Sequence, residues 1–585
     1  MRLIVKSFPF VLACTLLVVV LTACGAAEQR GAKPSADWSR GAPLGGGSIG
    51  SVGMAVGDED ASVRLVWPVG AGEGARIHFL HLDQSGDPIV TKDLAFPGQL
   101  RNTRLLPAGG DNMHLFWASR ISIETGWELW HILLNADGDL AGKPTRVSFD
   151  EGKVGDYTAA SDNTGGAVVV WESGNQADLH LLHMNRGGEV LSGPVTLTSR
   201  GESPDLRVDP GRHIHLVWLS GTSFMYAEMP LDDLRTDNGV PIAGITIGTG
   251  DSLTGPVLGL SESWVYVFWS IISQSGLEAG TARTEFTAFP SGKPGSSKSK
   301  PIWILPVEEQ PYVPYQGSLS LTVYVEPPKA ANASTDYIMR PAPMMGINPE
   351  LAVAVSAEQQ LRVNALLQNV VLLFKDGQYT GYSLASKTGQ ISDYPVLSVD
   401  RSGSLYLVWR EGARKQDVYY STTEPRAVAA LDGLSTGDFV NAVLEGGMES
   451  LVSLAFMPFL GFGWLLPGLI IIGIWKLIKD EESVSQPSSW PVLIIAIILY
   501  YSTKMMTLPT IATYVPFSAW IYIPADWELA LRIGVPLTIF AISLFVAHKV
   551  SVKYSDSAVL FYVVLALTDA LLTLAIYGVN FLGVF

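Results

Sequence analysis

The chain has 585 residues, 48% of them hydrophobic and 16% charged, with a formal net charge of −16. That length exceeds one ordinary domain, and the acidic balance excludes a basic stripe able to track phosphates, so no nucleic-acid partner is expected. Its two cysteines, Cys14 and Cys24, both lie near the N-terminus, which excludes a disulfide framework or a cysteine-held zinc in the folded body.

The first 24 residues read as an export signal. Arg2 and Lys6 supply the positive start, an apolar stretch runs from Phe8 to Leu21, and Leu21-Thr22-Ala23-Cys24 resembles a bacterial lipobox. The resemblance implies diacylation of Cys24, whose acyl chains would bury in the membrane. Residues 25–47 are rich in Gly, Ala and Pro and are expected to form a flexible linker.

From residue 48 to 428 an internal repeat dominates. Apolar runs ending in Trp recur as Val63–Trp67, Met113–Trp117, Val168–Trp171, Ile214–Trp218, Val265–Trp269 and Leu405–Trp409. The first five tryptophans stand about fifty residues apart, the length of a four-stranded blade. Asp- and Gly-bearing turns precede the runs, as at Asp162–Gly165, Asp209–Gly211 and Asp400–Gly403, where residues tolerant of positive φ suit tight hairpins. A strand apolar at nearly every position must be buried on both faces, and a lone blade cannot do that. The expected fold is therefore an all-β propeller of about seven four-stranded blades, with Trp67, Trp117, Trp171, Trp218, Trp269 and Trp409 in its core. Six or eight blades, or a two-sheet sandwich, are the alternatives. The stretch Leu351–Gln368 fits a further strand-turn-strand repeat with Leu366 in place of the Trp, and residues 285–345 read as an insertion or a degenerate blade.

These repeats resemble divergent blades of the sialidase-like (BNR-repeat) propeller superfamily. The resemblance implies a glycan-handling propeller, and as one possibility a sialidase-like hydrolase. The family's Asp-box turn is approached by Ser398–Gly403 with the glycine displaced by one. The family's arginine cluster and Tyr/Glu pair find no assignable residues, so no catalytic residue is named and a binding or scaffolding role is preferred. The ligand class expected is a protein or a glycan.

Residues 429–450 read as a juxtamembrane linker and 451–585 as a four-helix transmembrane domain. Blocks of about 20 apolar residues lie near Leu451–Ile474, Trp490–Leu508, Leu529–Ala547 and Ala558–Phe581. Lys476 and Lys479 follow the first block and Lys549 and Lys553 the third, whereas Pro509–Glu528 holds no Lys or Arg at all. The positive-inside rule then puts the propeller and the C-terminus on the extracytoplasmic side of a bacterial cytoplasmic membrane. Asp569, Lys504 and Arg532 fall at similar depth, so Asp569 is expected to pair with Lys504 or Arg532. His213 and His215 share a strand face but occupy repeat positions, as His114 does, and are read as packing residues. No cofactor and no metal is expected, and Walker and HExxH motifs do not occur.

Overall fold

The computed structural model describes residues 31–433 and 454–582 except 58–60, 71–73, 123, 125, 150–153, 236–238, 276–278, 296–297, 307–311, 325–333, 362–363, 414–415, 480–482, 509–514, 517–522 and 524. The residues read as an export signal, Cys24 and most of the segment read as a juxtamembrane linker lie outside the described residues. The chain divides into two compact units, Arg30–Leu361 with Ala365–Gly433, and a second containing Leu434–Phe585.

The first unit is a seven-bladed β-propeller. Each blade begins at an inner strand and winds outward through antiparallel neighbours, as in Glu202–Val208, His213–Ser220, Ser223–Pro230 and Val240–Gly244 of blade four. Each inner strand touches the next, and that of blade seven (Ser392–Val399) touches that of blade one (Gly53–Val56), which closes the ring. Closure removes most sheet edges.

The six repeat tryptophans all lie in second strands, and none is more than 2% exposed. The period-2 alternation of a strand explains how a continuous apolar run is satisfied. Leu65 and Trp67 pack toward blade seven, while Val66 between them packs toward blade two. The same alternation puts Trp171 against blade two and Val170 against blade four. The apolar clusters therefore lie between blades, and the tryptophans hold neighbouring blades together.

Three expectations are corrected. The segment read as a flexible linker is built in from residue 31: Trp38 is fully buried and Ala42–Gly45 forms the outer strand of blade seven, paired with Asp417–Thr422. An outer strand needs only backbone pairing, so its Gly- and Pro-rich sequence hides it. Residues 285–345 are neither an insertion nor a separate blade. Their start completes blade five, their end is the inner strand of blade six (Ile338–Pro343), and Tyr312–Pro314 with Thr322–Tyr324 extend blade six outward to six strands. Leu366 lies in the third strand of blade six, and Val355 of the second strand holds the place of the missing Trp, opposite the bulge after Met339.

A short helix α1 (Pro425–Leu431) follows the last strand, its N-terminus capped by Glu424, whose carboxylate accepts from Ala427 N at 2.7 Å. The second unit holds four helices long and apolar enough to cross a membrane: α2 (Met457–Lys479), α3 (Ser489–Thr507), α4 (Ala525–Tyr554) and α5 (Ala558–Leu582). Helix α5 touches the other three. It approaches α2 so closely that a Cβ on Gly468 would sit 2.1 Å from the Tyr562 hydroxyl, which donates to Leu465 O. The four lysines expected in connections lie within the C-terminal turns of α2 and α4 or close to them, because Lys propagates helix well and extends its ammonium beyond it. The α2–α3 and α4–α5 connections meet, Ser485 Oγ donating to Asp556 Oδ2 at 2.6 Å.

Candidate functional site

Six of the seven inner strands carry a β-bulge, at Asn102-Thr103, Gly155-Asp156, Ser203-Pro204, Gly255-Pro256, Arg340-Pro341 and Tyr394-Pro395. A bulge sets residues outside the ladder and re-aims their side chains. Because every blade starts inside and winds outward in the same order, the bulges share one face of the ring. Asn102 (φ 51°), Ser203 (φ 50°) and Gly255 (φ 102°) adopt the left-handed backbone there, as small residues can. In blades six and seven the position belongs to Arg340 (φ 55°) and Tyr394 (φ 55°). For such side chains that region costs on the order of 1–2 kcal/mol. Strain of this kind, kept at two adjacent blades, marks side chains that matter.

Tyr394 is sandwiched. The Arg340 guanidinium stands 3.8 Å from its ring centroid and that of Arg410 stands 3.5 Å from it. Arg340 pairs with Asp393 Oδ2, while Asp393 Oδ1 accepts from Ser356 Oγ at 2.9 Å and Tyr394 N at 2.7 Å. Asp393 is thereby occupied by three donors. Arg410 reaches Gly50 O at 3.4 Å, makes no ion pair among the described residues, and its Nε–H has no hydrogen-bond partner, although the side chain is only 7% exposed. Burial pushes its pKa below the usual guanidinium value, with Tyr394 and Asp393 pulling it back.

Blade two carries a second stack on the same face. Arg101 and Arg120 flank Trp127 at 4.2 Å and 4.8 Å from its ring centroid, and Arg101 donates to Gly155 O at 3.0 Å. Four arginines in two Arg–aromatic–Arg stacks thus gather on one face of a chain whose net charge is −16. Guanidinium forks match carboxylate and sulfate oxygens, and the ring between each pair holds its guanidinium groups in place.

On the opposite face the Asp-bearing turns are structural cages. Asp162 Oδ1 accepts from Thr164 N at 2.8 Å and Gly166 N at 2.7 Å, and Asp400 Oδ1 from Ser402 N at 2.8 Å and Ser404 N at 2.9 Å. Burial pushes the Asp162 pKa up, but bonds from His183, Thr164 and Gly166 outweigh it and hold the carboxyl low. His114 and His131 meet at 2.9 Å inside blade two, and burial, helped by His114, pushes His131 down to about 3. No group of three or more His, Cys, Asp or Glu that could hold a metal occurs among the described residues.

In the helical unit, Lys504 and Asp569 are brought together as a buried ion pair. Asp569 also accepts from Tyr500 at 2.9 Å and Tyr501 at 2.6 Å, and Lys504 donates to Thr573 at 2.7 Å. Arg532 pairs with Glu528, one turn away on its own helix, and forms no pair with Asp569 among the described residues. Reasoning from sequence missed the tyrosines around Asp569 and the whole Arg340–Tyr394–Arg410 stack. The one signal for the latter was an X-Pro pair repeated at the same offset ahead of successive second strands.

No protein-family model and no curated protein matches the sequence. Among solved structures, an ulvan lyase, a polysaccharide lyase, is similar at a TM-score of 0.37 and 9% identity, over 64% of this chain and 95% of that one. A glucose dehydrogenase is similar at 0.30 and 13%, over 65% and 98%. The Trypanosoma rangeli sialidase in complex with sialic acid is similar at 0.31 and 9%, over 71% and 62%. The architecture rests on the strand pairing described above, not on these likenesses.

Proposed function

We propose that this chain is a membrane-tethered binding protein whose propeller captures an anionic ligand, an acidic glycan foremost, on its bulge face. Arg410 carries the reading: a guanidinium 7% exposed, with an unpartnered Nε–H and no counter-charge of its own among the described residues. Arg410 has Gly50 O and the Tyr394 ring as partners, but its unmet buried Nε–H costs on the order of 1–3 kcal/mol, and a ligand carboxylate or sulfate would supply that missing acceptor. Binding is favoured over hydrolysis because the nearby carboxylates are committed. Asp393 holds three donors, and Glu411 accepts from Trp409 Nε1 at 2.6 Å and Ser392 Oγ at 2.8 Å. A glycosidase needs two carboxyls about 5–10 Å apart and free to act.

The tether would be the four apolar helices together with acylated Cys24. Two contacts support a common exit point on the propeller: Lys33 pairs with Asp432, and Arg40 N donates to the same carboxylate at 3.0 Å. The acyl-bearing segment and the chain leading to α2 then leave from one edge. The meeting of the α2–α3 and α4–α5 connections gathers Lys476, Lys479, Lys549 and Lys553 at one end of the bundle, which supports a cytoplasmic assignment of that end and an extracytoplasmic propeller.

The test is titration calorimetry of the intact protein in nanodiscs with oligogalacturonate and with a neutral oligosaccharide of equal length. Selective binding of the acidic probe, lost in Arg410→Gln, is expected. Equal response to both probes, or an unaffected Arg410→Gln variant, refutes the reading.

A further inference from the structure

The face opposite the bulges holds a cavity of about 360 Å³ between blades four and five, whose polar lining includes Asp209, His215, Ser261, Glu262 and Ser291, with Trp264 as its aromatic wall. No Lys or Arg is among its described lining residues. The Trp264 ring is fixed from behind: a Cβ on Gly377 (φ +71°) would lie 2.4 Å from Trp264 Cζ3, so the ring seats on the bare backbone of the next blade's turn. Its backbone N–H is held by Ser261 Oγ at 3.2 Å.

In the cavity floor the Tyr226 hydroxyl lies 2.7 Å from His215 Nδ1 and 3.1 Å from Glu228 Oε2. His215 is only 1% exposed, and its Nε2 stands 3.4 Å from Asp209 Oδ2 with no nearer partner. Burial lowers the His215 pKa, opposed by Glu228 and Asp209. His213, 43% exposed, stands 3.4 Å from the same Asp209 Oδ2, and it and His215 are the only basic side chains paired with that carboxylate among the described residues. The Asp209 and Glu262 carboxylates thus share, with a buried imidazole nitrogen lacking a near partner, a cavity that has no Lys or Arg among its described lining residues.

We infer that this cavity is a second ligand site, distinct from the bulge face, which takes a compact organic ammonium of about hexose size. The ammonium would bridge His215 Nε2 and Asp209 Oδ2, with Glu262 as further counter-charge and the Trp264 ring as a cation–π wall. The opposite charge preference of the two faces makes the inference independent of the proposed function.

The probe is glucosamine, with glucose and N-acetylglucosamine as controls of similar shape without the cation. Binding is followed by Trp fluorescence and calorimetry on the intact protein in nanodiscs, below the amine's pKa. Glucosamine should bind at least tenfold more tightly than either control. Asp209→Asn, which keeps an acceptor for His213 N, and Trp264→Ala should each weaken it about tenfold. Glu262→Gln lies in an exposed turn and should weaken it severalfold without disturbing the fold, which keeps the test decisive if an Asp209 variant is unstable. Equal binding of the three sugars, no binding of glucosamine, or unchanged affinity in both Glu262→Gln and Trp264→Ala overturns the inference.

Discussion

Replacing Asp569 with Leu exposes the logic of the helical unit. The carboxylate is fully buried and accepts from Lys504, Tyr500 and Tyr501. Removing it leaves Lys504, only 5% exposed, with Thr573 and the Tyr500 and Tyr501 rings but no counter-charge of its own among the described residues, and leaves the Tyr501 hydroxyl without its acceptor. Tyr500 keeps a bond to Ala566 O at 3.1 Å. Breaking a buried pair by deleting one member costs about 3–5 kcal/mol, most of it from the stranded charge. Replacing Lys504 as well removes that charge, so Asp569→Leu with Lys504→Leu should lie only about 1–2 kcal/mol below the parent, the residue of lost hydrogen bonds. The double variant should then be about 2–3 kcal/mol more stable than Asp569→Leu alone, its loss well short of the summed losses of the two singles. Steric-trapping unfolding of the intact protein in bicelles, run on both single variants and the double, measures it. A double variant whose loss equals the sum of the singles would refute the pairing.

Other outcomes follow from the propeller. Trp38→Ala should lower stability by about 3–5 kcal/mol in denaturant unfolding followed by Trp fluorescence; a change below about 1 kcal/mol would mean residues 31–47 behave as a linker after all. His131 is neutral when folded, with a pKa of about 3 against 6.5 for the free side chain, so the unfolded chain binds the extra proton between those values. Stability should fall as pH drops through that window, by up to roughly 1.4 kcal/mol per unit for this group. His131→Leu should flatten that part of the profile, and an unchanged slope counts against it. Cys24→Ala should leave the protein in the membrane through its helices but release the N-terminal segment from lipid, read by loss of palmitate labelling; labelling that persists excludes Cys24 as the acyl site.

The blades were legible because burial on both faces forces an apolar run at every position, and Trp67 through Trp409 mark that run in six of seven blades. Blade six escaped in part, since Val355 fills the Trp place without a signature and its two extra strands precede it in the chain. The strand Ala42–Gly45 was hidden because it contributes backbone bonds and little side-chain burial. The arginine face was not legible at all. Arg340, Tyr394 and Arg410 lie as far as seventy residues apart in sequence, and only the packing of blade six on blade seven and a pair of bulges bring them into one stack. Asp569 and Lys504 could be paired from depth alone, whereas the choice of Lys504 over Arg532 depended on which of the two side chains, on helices that both pack against α5, comes to Asp569.

The account depends most on Arg410 being a cation that awaits an anion. Crystals soaked in bromide and measured at its absorption edge test this directly. An anomalous peak within hydrogen-bonding reach of Arg410 Nε, absent in Arg410→Gln crystals, is the predicted result. Bromide scattered over surface lysines with nothing at Arg410 would contradict it.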